Sequence, residues 1–274
     1  MKNKIIAVLA ITCIITSFNL IGCTEKKNET SQGVVKTTQE KQETAEEYVE
    51  KMYKGLIDKK LTYENLWEDY FSKTSKNIDM LNKKTYVSNA EANDFKNNIV
   101  RTDIKIVSSE EVKEGIFKVK SILKYTVNGK ENSEDLIEYV IKENNELKYL
   151  PQGIMSVEKH MNTTINNINY QNVNVVNYVE GIGISTDMVN QSESGIALGW
   201  ADGPTVILKT DKGEYSYKLN TTKVGIGQTK NISIYFDKAE GTPQEVVINN
   251  INYLGNTGLP KDYTGGQTQN IVIK

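Results

Sequence analysis

Side chains able to act as nucleophiles or metal ligands are scarce in this sequence. Its 274 residues include two cysteines, Cys13 and Cys23, and one histidine, His160. A Ser-His-Asp triad or a multi-histidine metal site would therefore have to be built around His160 alone. Because His160 lies near an expected boundary between two folded parts, we interpret it as a surface residue. We expect no catalytic residue, no metal and no cofactor.

Neighbouring carboxylates are the remaining source of acid–base chemistry. Glu110-Glu111 and Glu134-Asp135 are two such pairs. Both fall in strand-like segments, where adjacent side chains point to opposite faces, so we interpret them as solvated surface. The sequence contains no Walker-type phosphate loop, no Gly-x-Gly-x-x-Gly fingerprint and no Gly-x-Ser-x-Gly elbow.

Three aromatic residues and several acidic turns are candidate ligand-binding positions. Trp200, Tyr215 and Tyr217 could stack on sugar rings, but the two tyrosines alternate with Leu219, which favours a role in the core. Acidic turns that could bind calcium occur at Asp202-Gly203, Asp211-Lys212-Gly213, Asp237 and Glu240-Gly241. None has the spacing of an EF-hand, and the turn preference of Asp and Gly explains each of them.

The segment from Asn162 to Asn177 is rich in asparagine, with Ile165, Ile168 and Val173 between the amides. This pattern suits either a polar edge strand or an exposed binding surface. We favour the edge strand, since edge strands are commonly made polar to prevent unwanted pairing.

The first 23 residues have the features of an export signal. Two lysines, Lys2 and Lys4, precede a mostly apolar run that is too short to span a bilayer. The run ends at Leu20-Ile21-Gly22-Cys23, which resembles the lipobox of bacterial lipoproteins. The resemblance implies that residues 1–22 are a signal peptide, and that Cys23 carries the acyl chains that anchor the protein to the cell membrane. An ordinary signal peptide with an incidental cysteine is the alternative.

Export also changes the charge and the thiol content. Loss of Lys2 and Lys4 leaves 31 basic against 35 acidic residues, a net charge of −4. This balance disfavours nucleic-acid binding, which needs a basic face. Cys13 leaves with the signal and Cys23 is modified, so no thiol remains for a disulfide or a nucleophile.

The remaining chain is expected to form a tether and two folded domains. Residues 23–43 are polar and predict a flexible tether. Thr44 and Glu47 predict a capping box at the start of a helix, and Leu66 to Phe71 form a second helical patch. A third helix is predicted over Asn89 to Val100, with Ala92, Phe95 and Ile99 directed inward.

Strands follow the helices. The alternation of residues predicts strands over Ile116–Val127, Glu134–Ile141 and Leu147–Leu150. Asn128-Gly129 predicts a tight hairpin, and Asn144-Asn145 a further turn.

Helices followed by an antiparallel meander resemble the α+β fold of the nuclear-transport-factor-like superfamily, over residues 44–158. The resemblance implies a cone-shaped domain whose interior often holds a ligand or an active site. In this sequence such a site would depend on carboxylates alone. Alternatively, Tyr125, Tyr139 and the helical aromatic residues fill the cone.

Residues 162–274 predict an all-β domain after a boundary within residues 151–162. Of the 19 glycines, 13 lie after residue 161, and short apolar–polar alternations recur between turns. The pattern resembles the immunoglobulin-like domains of bacterial surface lipoproteins, which implies a two-sheet β-sandwich.

Taken together, these features predict an extracytoplasmic, lipid-anchored protein that binds or scaffolds another component of the bacterial envelope, either a protein or a cell-wall glycan. The alternative is a small-ligand-binding protein or a carboxylate-based enzyme that uses the cone. A solute-binding protein of a transporter is disfavoured, because the repeated βαβ pattern is missing.

Overall fold

The structure, a computed structural model, describes residues 43–79, 81–200, 202–262 and 266–273. The predicted signal peptide, Cys23 and nearly all of the predicted tether lie outside the described residues. Within the described ranges, no helix has the length and apolar character needed to cross a membrane.

Helices occur in the amino-terminal part of the described chain. They are α1 (Ala45–Ile57), α2 (Tyr63–Asn65), α3 (Lys73–Lys76) and α4 (Lys83–Asn97), with a π-helical turn (Leu66–Tyr70) directly after α2. The capping box that starts α1 is confirmed. The Glu47 amide donates to Thr44 Oγ1 at 3.2 Å, and the Thr44 amide donates to the Glu47 carboxylate at 3.1 Å.

The predicted third helix is wrong in its bounds and in its buried face. Helix α4 begins earlier, where the Asn82 side chain accepts a hydrogen bond from the Thr85 amide at 2.9 Å. Its buried residues are Tyr86 and Ala90, one turn apart, whereas Phe95 is 91% exposed. The helix ends at Asn98, which has a left-handed backbone conformation.

The first sheet is an antiparallel meander in the order β1-β2-β3-β4. Its strands are β1 (Ile99–Lys113), β2 (Ile116–Val127), β3 (Lys130–Glu143) and β4 (Glu146–Leu150). The strands and turns predicted for this sheet are confirmed, but β3 is longer than the predicted Glu134–Ile141. Both residues of each predicted turn, Asn128-Gly129 and Asn144-Asn145, have positive φ.

One face of this sheet packs against the helices around a single apolar cluster. Helix α1 contributes Val49, Met52 and Tyr53, and the sheet contributes residues such as Val119 and Val140. We call residues 43–153, which contain these elements, the α+β part. The coarse prediction of helices followed by an antiparallel sheet is therefore confirmed.

The rest of the described chain forms two further antiparallel sheets. The five-stranded sheet contains β5 (Ile154–His160), β6 (Thr163–Ile165), β7 (Ile168–Tyr178), β8 (Gly181–Asn190) and β13 (Thr229–Asp237). The six-stranded sheet contains β9 (Ile196–Leu198), β10 (Thr205–Thr210), β11 (Glu214–Lys218), β12 (Thr222–Val224), β14 (Pro243–Tyr253) and β15 (Gln267–Val272).

One hydrophobic cluster joins the two sheets. It combines Ile184 and Ile234 of the five-stranded sheet with Leu208 and Ile248 of the six-stranded sheet. We call residues 154–273 the two-sheet part. Residues 151–162, where the boundary was predicted, form a 3₁₀ turn (Pro151–Gly153) and strand β5. The division into domains 44–158 and 162–274, and the immunoglobulin-like fold, stay predictions.

The two parts meet at Glu180, in the turn between β7 and β8. Its carboxylate accepts a hydrogen bond from the Tyr139 hydroxyl at 2.5 Å and pairs with Lys118 Nζ at 2.6 Å. Burial acts to raise the pKa of Glu180, but these contacts outweigh burial, and the pKa is lowered. Tyr139 therefore faces away from the helices and holds the outer side of the first sheet against the two-sheet part.

Gly153 provides the close approach that this junction needs. Its φ is +68°, and a Cβ at this position would lie 2.8 Å from Cδ2 of Tyr139. We expect Gly153→Ala to lower the free energy of unfolding by about 2 kcal/mol, through backbone strain and the clash together. Urea denaturation measures the loss.

Gly129→Ala is the matched control, because its φ is +77° and nothing lies within 4 Å of the added carbon. This substitution should lower the free energy of unfolding by about 1 kcal/mol, from backbone strain alone. Equal losses for the two variants would contradict the steric role of Gly153.

Candidate functional site

A fully buried carboxylate, Glu138, lies inside the α+β part. It is on the face of β3 that packs against the helices, and it is 5% exposed. Tyr53 of α1 donates its hydroxyl to Oε1, and the Tyr149 hydroxyl of β4 donates to Oε2 at 2.7 Å. Both carboxylate oxygens of Glu138 therefore already have a tyrosine partner.

Burial raises the pKa of Glu138, because a charge is disfavoured away from water. The hydrogen bonds from Tyr53 and Tyr149 act against this shift, and the negative charge of Glu134 adds to it. A carboxyl group with a raised pKa has the chemistry of a general acid. For that role it would need access to a substrate.

The space around Glu138 is filled by aromatic rings. Phe71 lies at the centre, with its ring centroid 4.9 Å from Trp67, 4.8 Å from Tyr86 and 5.3 Å from Tyr149. Tyr125 is also buried in this cluster. Tyr125 and the helical aromatic residues thus share one buried cluster, whereas Tyr139 faces the opposite side of the sheet. The cone-shaped fold stays a prediction.

Three polar atoms in the same interior have no hydrogen-bond partner among the described residues. They are the hydroxyls of Tyr86 and Ser121 and one carboxylate oxygen of Glu134. Each atom exposes almost no surface, so no void as large as a water molecule adjoins it. The interpretation of Glu134 as solvated surface is wrong, since it shares the inward face of β3 with Glu138, while Asp135 is exposed.

A second polar group, partly buried, consists of Asp94, Arg101 and Tyr63. The Arg101 guanidinium makes two hydrogen bonds to the Asp94 carboxylate, at 2.5 and 3.1 Å. The Tyr63 hydroxyl donates to the same carboxylate at 2.5 Å, and Arg101 also lies 5.7 Å from the centre of the Tyr63 ring. Arg101, the single arginine of the chain, therefore joins β1 to α2 and α4 by bidentate pairing and stacking.

A surface cleft of about 460 Å³ lies at the start of α1. Three segments form it: the first two turns of α1, the end of the π-helical turn, and the β3–β4 turn with the start of β4. Two tyrosines, two lysines and three acidic residues are among its lining side chains, namely Tyr48, Tyr70, Lys51, Lys148, Glu43, Asp69 and Glu146.

The polar groups of this cleft are largely held in place. Lys51 pairs with Glu43 and Lys148 pairs with Glu146, both at 3.1 Å. Lys148 Nζ also donates to the Asp69 carbonyl oxygen at 3.2 Å. The arrangement can bind a small polar molecule by charge, hydrogen bonding and aromatic contact.

The aromatic candidates of the two-sheet part have different surroundings. Tyr215 and Tyr217 are half-buried and pack against the hydrophobic cluster, as the core interpretation predicts. Trp200 is half-buried in the segment after β9, and Lys223 Nζ lies 5.3 Å from the centre of its ring. Among the described residues, Trp200 has no ring–ring contact with the tyrosines of β11.

The acidic turn residues differ in their surroundings. Asp211 Oδ1 accepts a hydrogen bond from the Thr242 amide at 2.7 Å, which joins two turns. Asp202, Asp237 and Glu240 are exposed. Within the described residues, no group of three or more histidine, cysteine or acidic side chains is placed to hold a metal ion.

The prediction of an asparagine-rich edge strand is wrong for most of the segment. Strand β7 is internal, since it pairs with β8 on one side and with β5 and β6 on the other. On its exposed face, Asn172 and Asn231 each donate a hydrogen bond at 2.9 Å to opposite oxygens of Asp187. We call these three residues, which lie on adjacent strands, the polar row. This face is polar, and the exposed binding surface stays a prediction.

His160 is less exposed than expected of a surface residue. Its side chain is 10% exposed, and its Nε2 lies 3.9 Å from the Glu158 carboxylate. It lies on β5 opposite Val173.

Sequence reasoning missed both Glu138 and the cleft. The signal for Glu138 was a charged residue between two apolar residues of the same strand face, Leu136 and Val140. Its charge made this face look solvated. Cys23, the predicted lipid-attachment residue, lies outside the described residues. The chain matches no known family model, and no curated protein matches it significantly.

Proposed function

We propose that this chain is a lipid-anchored protein of the bacterial envelope that binds another envelope component outside the cytoplasm. The lipobox-like Leu20-Ile21-Gly22-Cys23 supports the anchor and the location. The membrane is then one partner, through the lipid on Cys23. A cell-wall glycan or an envelope protein is the other.

The main support for a binding role is that the interior of the α+β part is closed. Glu138 has the raised pKa of a candidate acid, but aromatic rings surround it and tyrosine hydroxyls occupy both of its oxygens. A substrate would have to displace the core to reach it. The polar groups available to a partner are therefore those of the outer surface, including the cleft and the polar row.

The junction of the two parts supports a scaffolding role. Glu180, Lys118 and Tyr139 tie the first sheet to the β7–β8 turn by short polar contacts. Val176 and Tyr178 of β7 also pack against the cluster of the α+β part. Contacts of this kind fix the separation between surfaces on the two parts, as a scaffold requires.

Co-sedimentation with purified cell-wall sacculi tests the glycan partner. The chain is prepared without its signal segment and with Cys23→Ser, so that no lipid contributes. We expect retention that survives high salt, because hydrogen bonds and stacking are screened less than charge–charge attraction. Absence from the pellet, or loss of retention at moderate salt, would contradict glycan binding and leave an envelope protein as the partner to seek by cross-linking.

The cleft favours a second candidate function, the binding of a small molecule by the α+β part. Its volume of about 460 Å³ lies within the usual range for ligand sites. This site differs from the cone interior that the sequence suggested, because it lies on the surface at the start of α1.

A further inference from the structure

The lining of the cleft carries one more negative than positive charge. Its three carboxylates are those of Glu43, Asp69 and Glu146, against the ammonium groups of Lys51 and Lys148. Glu43 and Glu146 each have a lysine partner. Among the residues that the structure describes, no cation lies within ion-pair distance of the Asp69 carboxylate.

An aromatic pair lines the same cleft. The rings of Tyr48 and Tyr70 have centroids 5.4 Å apart and planes inclined at 50°. Tyr48 is 5% exposed, and its hydroxyl donates to the Tyr70 carbonyl oxygen at 3.0 Å, which fixes the floor of the cleft. Tyr70 is half-buried, so part of its side chain remains accessible.

The backbone holds Asp69 and Tyr70 in a fixed relation. Both belong to the π-helical turn, a rare conformation that is frequent at functional sites. Two lysines from other elements donate to its carbonyl groups: Lys148 to Asp69 at 3.2 Å and Lys76 to Glu68 at 2.7 Å. The site is thus supported from β4 and from α3.

We infer that the cleft binds the ammonium group of a small organic cation, with the Asp69 carboxylate as its ion-pair partner and the Tyr70 ring as a cation–π contact. An aromatic face attracts an ammonium group, and a carboxylate in the same cleft supplies the opposite charge. The inference rests on the second candidate function and names its ligand class. The paired lysines leave Asp69 as the charge that a ligand would neutralise.

An NMR titration with n-butylammonium tests the inference, using the chain without its signal segment and with Cys23→Ser. 1-Butanol is the neutral probe of the same shape. We expect saturable shifts of the Tyr48 and Tyr70 ring signals with the cation and none with the alcohol. Binding by both probes alike, or by neither, would overturn the assignment.

Asp69→Asn should weaken binding of n-butylammonium about fivefold, because it removes one exposed ion pair and leaves the side-chain shape unchanged. Asp135→Asn, which removes an exposed carboxylate on another face, should leave the affinity unchanged. Tyr70→Phe should retain binding, whereas Tyr70→Leu should weaken it through loss of the aromatic face. Unchanged affinity in Asp69→Asn would refute the role of this carboxylate.

The sacculus experiment separates this inference from the proposed function. Retention on sacculi together with no response to n-butylammonium would refute the cation site alone. Cation binding without retention would refute the glycan partner and leave the site in place.

Discussion

Glu138→Ala is expected to lower the free energy of unfolding by about 3 kcal/mol, since it leaves two buried hydroxyls without an acceptor and opens a cavity. The hydroxyls are those of Tyr53 and Tyr149, which are 1% and 3% exposed. Urea denaturation measures this loss. Trp67, which contacts Phe71 and Tyr86, reports the state of the core by its fluorescence if Trp200 is replaced by phenylalanine.

Glu138→Gln is the matched control, because its amide keeps the shape of the side chain and can both accept and donate a hydrogen bond. We expect its free energy of unfolding to differ from that of the natural protein by less than about 1.5 kcal/mol at neutral pH. A loss below about 1.5 kcal/mol in both variants would contradict the anchoring role. A large loss in both would show that the charged form itself is needed.

The pH dependence follows from the raised pKa of Glu138. Its ordinary value is 4.5, so above this pH the unfolded chain releases the proton while the folded chain still retains it. The folded state then binds more protons, and stability falls as pH rises through the window between 4.5 and the folded pKa. The natural protein should therefore lose stability relative to Glu138→Gln across this window. If the difference in free energy of unfolding between the two proteins stayed the same across this window, the raised pKa would be contradicted.

The elements that could be predicted from the sequence are those with local causes. The capping box of Thr44 and Glu47 satisfies amides within one turn, and Asn128-Gly129 supplies two residues that tolerate positive φ. Strand β2 was predicted with its observed bounds, Ile116–Val127, because the hairpin turn fixes one end and alternation extends to the other. These signals need no knowledge of distant residues.

The orientation of β3 could not be predicted in this way. One face carries Glu138 with Leu136 and Val140, and the other carries Tyr139 and Ile141, which is the more apolar pair. Both faces are covered: the helices bury the first, and Val179 and Met155 of the two-sheet part pack near the second. Alternation therefore identifies a strand but not the face that the core uses.

The cleft was unpredictable for a related reason. Asp69 and Tyr70 meet Lys148 and the first turns of α1 only after the β3–β4 hairpin has folded against the helices. The π-helical turn that aligns them has no sequence signal among the helix-start and helix-end patterns. Phe95 is the reverse case, a prediction that the structure does not confirm. Its helical spacing predicts a buried side chain, but it is 91% exposed.

Cys23→Ser is expected to abolish membrane attachment almost completely. The prediction depends on the resemblance of Leu20-Ile21-Gly22-Cys23 to a lipobox, and acyl chains on the sulfur and amino terminus would supply the membrane affinity. Within the described residues no helix is long and apolar enough to cross a membrane. In bacterial cells labelled with radioactive palmitate, the natural protein should carry label and enter the detergent phase. The variant should do neither.

Cys13→Ser is the matched control, because it changes the other cysteine of the same apolar run. It should keep both the label and the membrane attachment, since thioether formation at Cys23 does not involve Cys13. If Cys23→Ser remained in the detergent phase and the natural protein carried no label, the lipid anchor would be refuted, and the first 22 residues would have to stay attached as an uncleaved signal. If it were released but the natural protein carried no label, attachment would depend on Cys23 without acylation. The lipoprotein assignment is supported only if Cys23→Ser loses both the label and the membrane attachment while Cys13→Ser keeps both. The proposed location depends on this assignment.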